Sequence, residues 1–249
     1  MSDFTLKTVS LSVVKYLKRL IYSLLIIIPI TLVGFWGYTE FASYSPDQAI
    51  LSAAYSDKNV KIEEKISYFE ITPIFVKPDA KAIIFYPGGL VRPQSYIAKM
   101  VKISEISQTK VFLIKSPFNL AIFDIGATGR IIDQNALDMP IVAGHSLGGI
   151  AACRFLKDNP DKVSGIYLYG SYCDKSITDF KGSVLSVMGQ NDQIINKDNY
   201  NKAKLNLPTQ ANVKEIPDLN HSNFGDYGLQ KGDGSSGQSS ESVVKFMIN

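Results

Sequence analysis

Five short apolar runs constrain this chain most: "KAIIFYPGG" (81–89), "KVFLIKSP" (110–117), "MPIVAG" (139–144), "KVSGIYLYG" (162–170) and "GSVLSVMG" (182–189). Each is too short for a buried helix and is closed by glycine or proline, the pattern of a strand covered on both faces. Such strands belong to parallel sheets, which need a helix or long crossover between successive members. The intervening segments supply them. Tyr96, Ile97, Met100 and Val101 share one side of a helical stretch, "AIFDIGATGRIID" looks helical despite two glycines, and helical patterns follow Ser146 as far as Lys157 and cover 199–205. Val60 to Pro73 alternates with period two, as a hairpin does, and "NVKEIP" reads as a last strand. The expectation is a three-layer α/β fold, a mostly parallel central sheet with helices on both faces. The tail after Lys231, "GDGSSGQSSESVVKFMIN", is expected to begin as a flexible loop and close with a short helix.

A different pattern precedes the sheet. Leu20 to Thr39 carries no charge, and about 20 apolar residues cross a hydrocarbon core of roughly 30 Å. Trp36 and Tyr38 sit where an interfacial belt would place them, and Lys15, Lys18 and Arg19 just before the run favour a cytoplasmic N-terminus. The expected division is a basic cytoplasmic tail (1–19), a single-pass transmembrane signal-anchor (20–39), a connector with a short helix (40–56) and a domain (57–249) on the extracytoplasmic side. A cleaved secretory signal is the competing reading; the apolar run is longer than a typical signal's, and no small-x-small cleavage site follows it. Lys7, Lys15, Lys18 and Arg19 against Asp3 account for the whole formal charge of +3, leaving 22 basic and 22 acidic residues beyond position 39. A neutral remainder offers no footprint for nucleic acid.

In α/β sheets ligands sit beyond the carboxyl ends of the strands, so the junctions after the apolar runs are where chemistry is sought. One of them reads Gly144-His145-Ser146-Leu147-Gly148, a G-x-S-x-G sequence between a strand and a helix. Flanking glycines permit a tight turn that lifts the Ser146 hydroxyl clear of the sheet as a nucleophile. The amide of Leu147, at the start of the next helix, then faces a developing oxyanion. A neutral serine needs a base. The chain has two histidines; His145 points away as the neighbour of Ser146 and reads as a wall residue, so His221 is the candidate base. Asp192, after the run ending at Gly189, is the candidate acid that orients it, with Asp218 and Asp226 as rivals. In "FYPGGLV", Gly89 is the candidate for the second oxyanion amide, with Leu90 as the alternative.

Cys153 and Cys173 lack the spacing of a metal or redox motif, and two buried free thiols are expected, with a single disulfide as the alternative. No cofactor or metal is expected: the tail lacks the alternating carboxylates of a calcium loop. Asn220-His221-Ser222 fits a glycosylation sequon and is taken as chance.

With these residues in view, the chain from about Asp57 onward resembles an α/β-hydrolase of the compact bacterial branch, carrying "FYPGG", "PFNLAIF", "GHSLGG", "GQND" and "NHSNFGDYG" in that order. The resemblance implies Ser146 as nucleophile, Asp192 as acid, His221 as base, and Leu147 with Gly89 as oxyanion amides. "PFNLAIF" would form a pocket wall or an apolar loop capping the core. The segment "SYCDKSITDFKGS" is too short for the helical lid of larger relatives, which implies an open, shallow site. The expected activity is a membrane-anchored serine hydrolase acting on the acyl group of a small-molecule or lipid ester. An acyltransferase on a lipid or envelope component, or a non-catalytic binding module, would keep the same fold.

Overall fold

A computed structural model of the chain describes residues 2–248, with side chains from residue 13 onward, so those of Asp3 and Lys7 lie outside the described residues. It separates into two units, Met1–Ala42 and Ser43–Asn249. The first is one helix, α1 (Ser2–Ala42), which contains Pro29. Within it Val13–Ala42 has a mean hydropathy of 2.1 and is long and apolar enough to cross a membrane; a signal sequence near the N-terminus has the same properties.

The second unit is built on one eight-stranded sheet. Its strands are β1 (Val60–Glu64), β2 (Tyr68–Pro73), β3 (Ile83–Tyr86), β4 (Val111–Ile114), β5 (Ile141–His145), β6 (Gly165–Tyr169), β7 (Ser183–Gly189) and β8 (Asn212–Ile216). They lie in the order β1-β2-β4-β3-β5-β6-β7-β8. The β1–β2 hairpin joins antiparallel and packs antiparallel on β4, and every pairing from β4 to β8 is parallel. Crossovers between the parallel strands are made by α3 (Ile97–Ser107), α4 (Ala127–Asn135), α5 (Leu147–Asp158) and α6 (Lys197–Ala203), and α2 (Gln48–Tyr55) and α7 (Ser240–Ile248) complete the fold. The three-layer arrangement follows from alternation along each strand. On β3, Phe85 faces a core that includes Ile97, Met100, Leu113 and Val244. Its neighbours Ile84 and Tyr86 face another, with Phe112, Ala151, Phe155 and Leu168. Continuous apolar runs were therefore the right signature of strands sandwiched between helices.

Three local expectations are revised. "AIFDIGATGRIID" is not one helix: a single 3₁₀ turn at Ala121–Phe123 gives way at Asp124, where φ is −149°, before α4 starts at Ala127. The side chain of Tyr86 causes the break, since its hydroxyl donates to the carbonyl of Ile125 and accepts from Thr128 Oγ1 at 2.9 Å. The tail begins as a pinned loop, because Asp233 accepts from the amide and hydroxyl of Ser222 at 2.8 and 2.6 Å, and the carbonyl of Gly234 accepts from Asn220 Nδ2 at 2.7 Å. The short closing helix is α7.

The cysteines are the third revision. Cys153 and Cys173 form a disulfide, with Cα atoms 5.4 Å apart and both residues fully buried. They stand 20 positions apart, a distance no local pattern spans. They meet because α5 packs on β6, whose exit carries Cys173. The bridge pins residues 171–173 to α5, beside the Arg154–Asp174 ion pair at 2.7 Å. Closing a loop of this length stabilises a fold by about 3 kcal/mol. The Cys153→Ala/Cys173→Ala chain is expected to lose about 2–4 kcal/mol of unfolding free energy in a urea titration; an unchanged midpoint would contradict the bridge.

Candidate active site

Ser146 occupies the junction between β5 and α5 with φ 52° and ψ −124°, a left-handed backbone that a side-chain-bearing residue adopts at a cost of order 1–3 kcal/mol. The turn is held by the Ser146 amide, which donates to the carbonyl of Tyr169 at 3.0 Å, and by Ser171 Oγ, which donates to the carbonyl of Ser146 at 2.6 Å. Glycines allow the approach. A Cβ at Gly144 would collide with the backbone of Gly148, and one at Gly148 with the carbonyls of Tyr86 and Pro87. The start of α5 thus rests directly on the end of β3.

His221 and Asp192 meet across the sheet end. His221 Nδ1 lies 2.7 Å from Asp192 Oδ2, and both side chains are 1% exposed. The other carboxylate oxygen, Oδ1, accepts the amides of Ile194 and Ile195 at 2.9 Å each, which fixes its rotamer. Gly170, with φ +46°, makes room for the pair: a Cβ there would stand 3.0 Å from His221 Nδ1 and 3.3 Å from Asp192 Oδ2. The rival carboxylates are engaged elsewhere. Asp226 forms a buried ion pair with Lys99 at 2.6 Å, and Asp218 accepts from Asn191 Nδ2 and the Gly237 amide.

His221 Nε2 is buried and has no hydrogen-bond partner among the described residues. Its ring packs on that of His145, centroids 4.4 Å apart, and His145 is the residue before Ser146. His221 thus lies against the residue that precedes Ser146, and catalytic hydrogen bonds are often long or absent in unliganded sites.

His145 is a fully buried wall residue. Tyr96 Oη accepts the Gly88 amide at 3.0 Å and shares a hydrogen bond with His145 Nδ1 at 2.8 Å. Burial and the neighbouring His221 hold the His145 pKa well below 6.5, so the ring is neutral.

The amides around the serine sort in the same way. That of Gly88 is bound to Tyr96, and that of Leu90 donates to the carbonyl of Asn119 at 2.8 Å. Gly89 lies between them; a Cβ there would come within 2.9 Å of Leu147 Cδ2 and 3.5 Å of Leu120 Cδ2. Gly89 and Leu147 are adjacent, and neither amide has a partner among the described residues. Leu90 is thereby set aside as a donor. A cavity of about 660 Å³ between α2, α3 and α7 shares no residue with this cluster. Between β6 and β7, residues 170–182 contain no helix.

Sequence reasoning missed Tyr96, Ser171 and Asp233 as organising residues. Ser171 lies just past the β6 run and could have been found by inspecting every strand exit. Tyr96 reads as a core aromatic and Asp233 as a loop residue, with no local signal of their contacts. Asp233 joins the loops that carry Asp192 and His221, since it also accepts the Gln193 amide at 3.2 Å.

Family comparison agrees with this architecture. The model of the alpha/beta hydrolase family matches residues 82–245. The chain belongs to the alpha/beta hydrolase family. Among solved structures it is similar to a predicted CIB-like hydrolase from Thermoplasma acidophilum (TM-score 0.59, 12% identity, covering 76% of this chain and 97% of that one). It is also similar to the Paleococcus ferrophilus monoacylglycerol lipase (0.56, 13%, 76% and 98%) and to naproxen esterase from Bacillus subtilis (0.52, 11%, 69% and 88%). At such identities these likenesses show the fold. Among curated proteins none matches the chain.

The neutral state of His145 sets a pH dependence. Its folded pKa is depressed, so the unfolded chain binds the proton first, and the stability gained from a neutral ring is complete above about pH 6.5 and is lost as pH falls below it. Subtracting the urea-unfolding curves of His145→Asn from those of the parent chain should leave a slope approaching about 1.4 kcal/mol per pH unit below that point. A pH-independent difference would refute the assignment.

Proposed function

We propose that this hydrolase-family chain is a membrane-anchored serine hydrolase that cleaves carboxylic esters through an acyl-enzyme on Ser146. The observation that carries the reading is the buried Asp192–His221 pair, whose outer nitrogen has no partner among the described residues and whose ring packs on His145, the neighbour of a serine held on a strained turn. In this reading Ser146 Oγ attacks the ester carbonyl carbon while His221 Nε2 takes its proton, and Asp192 holds the Nδ1–H and stabilises the imidazolium. The amides of Leu147 and Gly89 receive the oxyanion, with the N-terminal end of α5 adding its dipole. Collapse breaks the bond to the leaving alcohol, which takes the proton from His221. Water then repeats the sequence, releasing the acid and restoring Ser146. None of these steps requires a metal or cofactor.

The esterase and lipase identities of two structural neighbours support esters as the substrate class. Two features support the proposed location. The basic residues before the apolar run favour a cytoplasmic N-terminus, and the buried disulfide suits an oxidising compartment; both support a hydrolase unit on the extracytoplasmic side in this reading.

Treatment of the full chain in detergent with a fluorophosphonate probe should label Ser146, and Ser146→Ala should abolish both labelling and p-nitrophenyl ester turnover. Asp192→Asn should lower kcat by about 10³–10⁴-fold, since the base loses its oriented tautomer. An unlabelled parent chain, or equal labelling of Ser146→Ala, would refute the proposal.

A further inference from the structure

The residues that follow α1 run straight into the walls of the site. Ser43 is covalently joined to Ala42, the last residue of α1, and its Oγ accepts from Asn119 Nδ2 at 2.9 Å. The amide of Tyr44 donates to the carbonyl of Leu90 at 2.8 Å, and the amide of Arg92 returns to the carbonyl of Tyr44 at 3.0 Å, forming a parallel bridge to Val91. On the other side, the Tyr44 hydroxyl accepts the Lys231 amide at 2.9 Å, its ring lies 5.6 Å from that of Tyr227, and the Asp47 amide donates to the carbonyl of Asp226 at 2.8 Å. Residues 43–47 therefore bind both the segment carrying Gly89 and the loop carrying His221.

The loop that receives Ser43 is apolar at its surface. Phe118 and Asn119 take left-handed backbones, φ 57° and 53°, consecutive strained positions of a kind that cluster at functional sites. The strained turn buries Ala121 and leaves Ile122 and Phe123 at the surface, 39% and 55% exposed. Phe118 packs edge-on against Phe123 at 5.7 Å, and Leu120 reaches the surroundings of Gly89.

We infer that the substrate is an acyl lipid resident in the bilayer, and that residues 117–123 are the apolar rim over which its acyl chain reaches Ser146. The inference rests on the hydrolase reading and on α1 crossing the membrane. Adjacent Cα atoms are about 3.8 Å apart, so a rim hydrogen-bonded to the first residue after α1 stays within a few residues' reach of that helix end. The loop that exposes these apolar side chains is thus the one bonded to the residue that follows α1 in the chain, an arrangement that a water-soluble ester would not require.

The test uses the full chain in phosphatidylcholine vesicles, with Trp36→Phe removing the single native tryptophan. Tryptophan is then introduced as Phe123→Trp or, as the control, at Leu205, which is 82% exposed. Brominated phosphatidylcholine should quench the Phe123→Trp chain at least about threefold more than the Leu205→Trp chain, as expected for a side chain in the acyl boundary. The parent chain should also hydrolyse a fluorogenic long-chain diacylglycerol placed in the vesicles. Equal quenching at the two positions, with Ser146 still labelled by fluorophosphonate, would overturn this inference and leave the hydrolase reading standing. So would turnover of a soluble p-nitrophenyl ester without turnover of the vesicle-borne lipid. Absence of labelling would overturn both.

Discussion

The close approach between the start of α5 and the end of β3 is the constraint on which the rest depends. Gly148 rests on the carbonyls of Tyr86 and Pro87, and Gly144 on Gly148 itself, at separations that leave no space for a Cβ. This contact forces Ser146 into its left-handed backbone and sets the Leu147 amide beside Gly89. The same α5 carries Cys153, so the segment bonded to it, 171–173, is drawn against the turn and delivers Ser171 to the carbonyl of Ser146. Strain at one residue is thus maintained by packing spread over three strands and a covalent bridge.

Burial decides the electrostatics around that turn. His145 and His221 lie ring against ring, and two imidazolium charges at 4.4 Å between centroids in a dry site would repel strongly. The structure separates their environments. His145 pairs with the Tyr96 hydroxyl and is held neutral by burial, whereas His221 faces a carboxylate whose second oxygen is already satisfied by two amides. Of the two rings, only that of His221 faces a carboxylate, and it packs against the residue that precedes Ser146.

Much of the fold was legible because burial imprints a period on sequence. Runs such as "IIFY" and "VLSVMG" are apolar on both faces, which identifies interior strands, and the alternating 60–73 segment identifies the edge hairpin. Signals failed where a distant side chain overrode local preference. Tyr86 breaks the helix expected after Ala121, and Asp233 holds a Gly/Ser-rich tail that composition alone marks as loose. The pairing of Cys153 with Cys173 belongs to the same class, because it depends on which strand α5 covers.

Sequence by itself determined the strand-turn-helix around Ser146, the succession of buried strands and the charge-free segment before them, since each is written in neighbouring residues through sterics and hydrophobic period. Which carboxylate meets His221, which glycine-loop amide stays unpaired and where the chain leaving α1 attaches were decided by tertiary structure alone. Asp192, Asp218 and Asp226 are chemically alike, and so are the amides of Gly88, Gly89 and Leu90; they differ in the partners that other strands bring to them. A contact between residues far apart along the chain depends on strand order and helix packing, quantities that no local pattern contains.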